Sequence, residues 1–145
     1  MRIVLPCASD AGTGLSTTPP PAVTSGRRRI LVIDDEPLIV SMVSDVLKEK
    51  HDVVGETNPA RGLGRILNDA GFDVVMCDLM MPGLSGMEIY AQVARDRPGF
   101  ERRFVFVTAG PYTGHAQAFL AGVPNARLIK PLSASQIQSL VHEAP

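Results

Sequence analysis

The sequence predicts a parallel α/β fold in which five short strands form one sheet covered by helices on both faces. Three observations carry the prediction. Short apolar runs recur at 30–33, 51–56, 74–77, 104–107 and 128–129. The stretches between them space their apolar residues three and four apart, the period of an amphipathic helix. Each strong run then ends in a polar residue able to do chemistry: Asp34 and Asp35 after the first, Asp78 after the third, Thr108 after the fourth and Lys130 after the fifth.

The first run, Ile30-Leu31-Val32-Ile33, reads as a buried strand. Pro37 then suits the first turn of a helix that places Leu38, Ile39, Met42, Val43, Val46 and Leu47 on one face. Residues 51–56 give a weaker strand, and 60–70 a helix with Leu63, Ile66, Leu67 and Ala70 inward, interrupted by Gly62 and Gly64. Val74-Val75-Met76-Cys77 is a third strand, followed by the loop Pro82-Gly83-Leu84-Ser85-Gly86 and a helix carrying Met87, Tyr90, Val93 and Ala94. Phe104-Val105-Phe106-Val107 is the fourth strand, 115–121 a short helix and Leu128-Ile129 the fifth strand. Ser133 is suited to cap a last helix with Ile137, Leu140 and Val141 along one side.

At 145 residues and 45% hydrophobic content, the chain has the material for one compact domain. A net charge of -1 offers no global attraction for nucleic acid or an anionic membrane, so neither is expected as a partner. No apolar run approaches the roughly 20 residues needed to span a bilayer. The Arg2-Ile3-Val4-Leu5-Pro6 start is also too short for the roughly 7–15-residue apolar core of a secretory signal, so a cytoplasmic protein is expected. The two cysteines, Cys7 and Cys77, are read as reduced thiols, with Cys77 a small core residue. His51, His115 and His142 are expected on the surface, show no metal-ligand spacing and are assigned no functional role.

Parallel strands deliver their carboxyl ends to one edge, where ligands bind in doubly wound sheets. Three carboxylates, a hydroxyl and an ammonium are therefore expected in one cleft. Carboxylates crowded together repel one another, and a divalent cation relieves that repulsion. Oxygen donors favour Mg2+, with Mn2+ as an alternative, and Asp35 and Asp78 are the expected ligands with Asp34 orienting a metal-bound water. Asp78 is placed to act as a nucleophile toward phosphorus, Lys130 to pair with one phosphoryl oxygen and Thr108 to donate its hydroxyl to another. Each residue alone is an ordinary turn or strand-end residue, and the set together points to phosphoryl transfer.

The segments RRRILVIDDEP from Arg27, VVMCDLMMPGLSGMEIY from Val74, FVFVTAG from Phe104 and LIKPL from Leu128 together resemble the receiver domain of response regulators. The resemblance implies a flavodoxin-like, doubly wound sheet in the order 2-1-3-4-5. It also implies phosphorylation of Asp78 by a histidine kinase or histidine phosphotransfer domain, Mg2+ held by Asp35, Asp78 and the backbone carbonyl of Met80, and a cis peptide at Lys130-Pro131. Two departures stand out. Arg127 occupies the position where many such domains carry an aromatic switch residue, and Met80 and Gly110 offer no polar side chain to guide a hydrolytic water, so slow phosphate loss is expected.

Residues 1–8 look like the last strand of a kinase ATP-binding domain, 9–27 like a flexible Pro/Ser/Thr linker and 28–145 like the receiver, which suggests the C-terminal receiver of a hybrid sensor histidine kinase. The alternatives are a stand-alone single-domain response regulator, a metal-dependent phosphatase turning over on Asp78, or a module that keeps the fold and is never phosphorylated. The phosphatase is disfavoured because Met80 stands where such enzymes place a second acid. No output domain is expected after Pro145, and the signal is expected to leave through a protein partner docked on the fourth helix, fifth strand and last helix, or to pass to a phosphotransfer histidine.

Overall fold

A computed structural model describes residues 27–69, 71–109 and 114–143. The segments 1–8 and most of 9–27, together with Cys7, Ala70 and Gly110, lie outside the described residues. The elements run β1 (Arg29–Ile33), α1 (Pro37–Leu47), β2 (Asp52–Glu56), α2 (Pro59–Asn68), β3 (Val74–Asp78), α3 (Gly86–Asp96), β4 (Phe104–Thr108), α4 (Gly114–Ala121), β5 (Arg127–Ile129) and α5 (Ala134–Glu143). All strand pairings are parallel, and the order is β2-β1-β3-β4-β5. Since the chain leaves β1 toward β2 and returns to β3 on its other side, the order reverses at β1, and the crevice above β1 and β3 is where such a sheet accepts ligands.

Alternate residues of each strand face opposite sides of a sheet, and here both sides are apolar. Leu31, Ile33, Val75, Cys77, Phe104 and Phe106 pack on one face against Ile66, Ile89, Val93, Ala116 and Leu120 of α2, α3 and α4. Ile30, Val32, Val74, Met76, Val105, Val107 and Leu128 pack on the other against Val43, Leu47, Ile137 and Val141 of α1 and α5. Burying both faces explains why the central strands read as unbroken apolar runs instead of alternating ones. β2 is an edge strand with a half-buried pattern, which is why its signal is weaker.

The local devices match the sequence in most places. Pro37 and Pro59 open α1 and α2, and Ser133 Oγ accepts a hydrogen bond from the Gln136 amide at the start of α5. Ser85 and Glu88 form a reciprocal capping box on α3. Cys77 is a fully buried free thiol whose ionisation burial pushes up, as a core role requires.

Two expectations need correction, and one element was not foreseen. Leu38 is 83% exposed instead of lying on the inward face of α1. The inward line of that helix runs through Val43 and Leu47, and five residues at about 100° each set Leu38 about 140° away from Val43. His51 is half-buried instead of on the surface, its Nδ1 accepting from the Arg28 amide at 3.1 Å. The run before β4 contains an unforeseen 3-10 turn, Phe100–Arg103, with Phe100 buried.

Candidate functional site

The acidic residues lie where strands end. β1 closes at Ile33, and the Asp34 amide extends its pairing by donating to the Glu56 carbonyl at 3.1 Å. The chain then turns sharply, with Asp34 Oδ1 accepting from the Glu36 amide at 2.9 Å. Asp34 is thereby buried, while Asp35 points out and is exposed. Asp78 is the last residue of β3 and is 5% exposed. Its Oδ1 accepts from the Met80 amide at 3.3 Å.

The loop after Asp78 returns tightly. The Gly86 amide donates to the Leu79 carbonyl at 2.9 Å, and a Cβ on Gly86 would collide with the Asp78 carbonyl oxygen. Glycine at this position is therefore a packing requirement of the site. Thr108 ends β4, fully buried, and its carbonyl accepts from the Lys130 amide at 2.8 Å, which fixes the strand-end lysine beside the strand-end threonine. The Lys130-Pro131 peptide is cis.

These elements bring one carboxylate oxygen from each of Asp34, Asp35 and Asp78 within 4.8 Å of one another. Lys130 Nζ lies 2.8 Å from Glu36 Oε1, 3.1 Å from Asp34 Oδ2 and 3.5 Å from Asp78 Oδ2. The Asp34 contact is an ion pair without hydrogen-bond geometry, so Asp34 Oδ2 and Thr108 Oγ1 are both buried polar atoms with no hydrogen bond. Buried polar groups are nearly always satisfied. A buried hydroxyl with no hydrogen bond at the end of β4, and a buried carboxylate oxygen whose neighbour is an ammonium, leave bonding capacity for a further ligand.

The electrostatics agree. Burial, then the charge of Asp34, push the Asp78 carboxyl up to about 7 against the opposing pull of Lys130. Burial also raises Asp34, countered by the Glu36 amide and Lys130. For Lys130, burial acts downward, but the carboxylates of Glu36, Asp34 and Asp78 override it and hold the amine above its usual range, fully charged. The cluster has more negative charge than one lysine balances, and its donors are all oxygen. Such a set suits a hard divalent cation.

The structure thus gathers Asp34, Asp35, Asp78 and Lys130 directly, with Thr108 beside Lys130 through the strand pairing. Met80 is placed by its amide contact to Asp78, its side chain 47% exposed. Glu36 escaped the sequence reading altogether, although its acidic character beside Asp34 and Asp35 was a visible signal. Arg127, at the position expected for an aromatic switch, is an exposed residue of β5 whose guanidinium donates to the Leu120 carbonyl near the end of α4 at 3.0 Å. His115 and His142 are exposed and stand apart from the acidic cluster.

A five-stranded parallel sheet in this order, with an acidic triad and a lysine at its carboxyl edge, defines a flavodoxin-like domain with a charged crevice at that edge. The chain belongs to the response regulator receiver domain family, whose model matches residues 30–142. A response regulator receiver domain protein from Clostridium thermocellum is 28% identical, with a TM-score of 0.68, covering 81% of this chain and 93% of that one. A CheY-like receiver domain protein from Methanospirillum hungatei is 25% identical, with a TM-score of 0.70, covering 81% and 92%. The receiver domain of a sensor histidine kinase from Pseudomonas aeruginosa, with magnesium coordinated in its active site cleft, is 18% identical with a TM-score of 0.71, covering 81% and 97%. No curated protein sequence matches the chain. Receiver domains are signalling switches of two-component systems that bind Mg2+ in the acidic site and interact with histidine kinases or phosphotransfer proteins. Among the described residues, no helix is long and apolar enough to cross a membrane.

Proposed function

We propose that this receiver accepts a phosphoryl group on Asp78 from a phosphohistidine, and that the observation carrying the assignment is the buried Asp78 carboxylate held 3.5 Å from the Lys130 ammonium within the acidic triad. An Asp78 oxygen attacks phosphorus, the P–O bond forms as the P–N bond breaks, and the electron pair returns to the imidazole nitrogen, which takes a proton from solvent. Lys130 pairs with one phosphoryl oxygen, and the Thr108 hydroxyl, left without a partner, donates to another. Asp35, Asp78 and the Met80 carbonyl would hold the ion, with Asp34 orienting its water. Mg2+, or alternatively Mn2+, supplies the positive charge that keeps Asp78 ionised and neutralises the transferred group.

Phosphorylation adds roughly -1.5 to -2 charge at Asp78. Drawing Thr108 and Lys130 toward that charge displaces the start of the β4–α4 connection and β5, and a protein partner on α4, β5 and α5 reads the change. Met80 beside Asp78 brings no polar side chain to a hydrolytic water, which favours slow loss of the phosphate. We further propose that residues 28–145 form the receiver, that 9–27 link it to a kinase ATP-binding domain whose last strand is 1–8, and that the whole is a hybrid sensor histidine kinase. The Arg2-Ile3-Val4-Leu5-Pro6 pattern supports this context.

Incubation with acetyl phosphate and Mg2+, read by intact mass, tests the core of this reading. One phosphoryl adduct on wild type and none on Asp78→Asn is expected. Sustained release of inorganic phosphate would mark a phosphatase instead, and no reaction would mark a silent module.

A further inference from the structure

The phosphoryl chemistry above leaves one member of the cluster without a task. Glu36 sits at the N-cap position of α1, where an acidic side chain ordinarily turns onto the unpaired amides of the first helical turn. It makes no such bond. Its carboxylate reaches instead across the crevice to Lys130, 94 positions along the chain, and at 2.8 Å this is the shortest of the three carboxylate contacts that the amine makes.

Asp34 and Asp78 belong to the triad whose oxygens lie within 4.8 Å of one another, and Glu36 does not. A cation shared by the triad would draw off the negative charge of Asp34 and Asp78. It would leave Glu36, 60% exposed, as the carboxylate still holding the lysine. An ammonium has three protons and no acceptor capacity, so a proton directed at Glu36 is not directed at a phosphoryl oxygen.

We infer that Glu36 is a positioning residue that parks the Lys130 ammonium beside Asp78 in the unphosphorylated protein and competes with the incoming phosphoryl group for it. The inference rests on the reading of Asp78 as acceptor, and goes beyond it by assigning the competitor. Glu36 also adds negative charge beside the triad, so it favours a cation and opposes an anion. Its removal therefore moves the two affinities in opposite directions.

Isothermal titration of the full chain with Mg2+ alone, and then with beryllofluoride at saturating Mg2+, separates the possibilities. Glu36→Gln should bind beryllofluoride roughly two- to fivefold more tightly, the scale of one partly exposed ion pair, while its Mg2+ affinity falls. Glu36→Asp is the discriminating variant. It keeps the charge, but its side chain is one methylene shorter and suited to turn back onto the α1 amides, so it should match Glu36→Gln in beryllofluoride affinity while keeping the Mg2+ affinity of wild type. Wild-type beryllofluoride affinity in Glu36→Asp would overturn the parking contact in favour of charge alone, and a weakening of both affinities in Glu36→Gln would overturn it in favour of a structural role. Absence of beryllofluoride binding by wild type, or its persistence in Asp78→Asn, would strike the reading of Asp78 itself.

Discussion

The two ends of the sheet both carry charged side chains and treat them in opposite ways. At the amino end, Arg29 forms paired hydrogen bonds with Asp69 at 2.9 and 3.2 Å and lies over the Phe72 ring. The Arg29 amide is taken by Asp73, Arg27 pairs with Asp52 at 2.8 Å, and the Arg97 and Arg103 guanidiniums donate to the Leu67 and Phe72 carbonyls. Each of these charged groups is bonded within the fold, and the Arg27–Asp52 and Arg29–Asp69 pairs remain open to solvent. At the carboxyl end, Asp34, Asp78 and Thr108 are buried, two of their oxygens lack hydrogen bonds, and Asp78 is held near 7 by burial and by Asp34. One end spends its polar groups on structure. The other withholds them from structure, which is what a site that must bind charge requires.

The largest test of this contrast is the pH dependence of stability without metal. Asp78 titrates near 7 in the folded chain against about 3.9 when unfolded. The folded state therefore retains a proton that the unfolded state releases, and the stability this confers is present at pH 4 and lost as pH rises toward 7. Urea unfolding in EDTA should show wild type less stable at pH 8 than at pH 5 by a few kcal/mol. Asp78→Asn should flatten the profile, and Mg2+ at pH 8 should restore wild type but do little for the variant. A wild-type profile that is flat in EDTA would mean that the carboxyl end is not under electrostatic load.

A smaller effect is expected at Thr108, where structure and function should separate in sign. Its buried hydroxyl has no partner, and Val replaces it at nearly equal shape. Losing an unsatisfied polar group should raise stability by about 1 kcal/mol, whereas beryllofluoride affinity should fall because a donor to the bound anion is gone. Urea midpoints and titration of Thr108→Val against wild type measure the two. A destabilised variant would show that the hydroxyl is satisfied by something within the fold.

Much of the carboxyl end was legible because a parallel sheet turns sequence into geometry: an apolar run followed by Asp, Thr or Lys places that residue on one known edge. Asp34, Asp78, Thr108 and Lys130 needed only that rule. Glu36 was not legible, since its partner depends on the pairing of β5 with β4, which fixes Lys130 against Thr108, and no local pattern encodes that register. Asn125 was equally opaque. It is buried, its Oδ1 accepts from the Tyr90 hydroxyl at 3.4 Å and its amide nitrogen donates to the Glu101 and Phe104 carbonyls. The Ser85-Gly86-Met87-Glu88 capping signature, by contrast, was present in the residues and went unread. The exposure of Leu38 shows the limit of periodicity, because a helical face is wide and its edge residues are sorted by tertiary contact.

The smallest expected effect belongs to the amino end. Arg29→Ala removes an ion pair whose side chains are both 43% exposed, along with a ring contact, and leaves Asp69 free to bond water. Solvent screens such a pair, so the urea midpoint should fall by less than Thr108→Val raises it. The more telling measurement is beryllofluoride affinity, which should not move at all. Arg29 begins β1 and Asp34 follows its end, so the two are joined by one rigid strand. A shift in affinity from this substitution would mean that β1 transmits strain along its length, and that the division between a structural end and a chemical end fails where the two ends share an element.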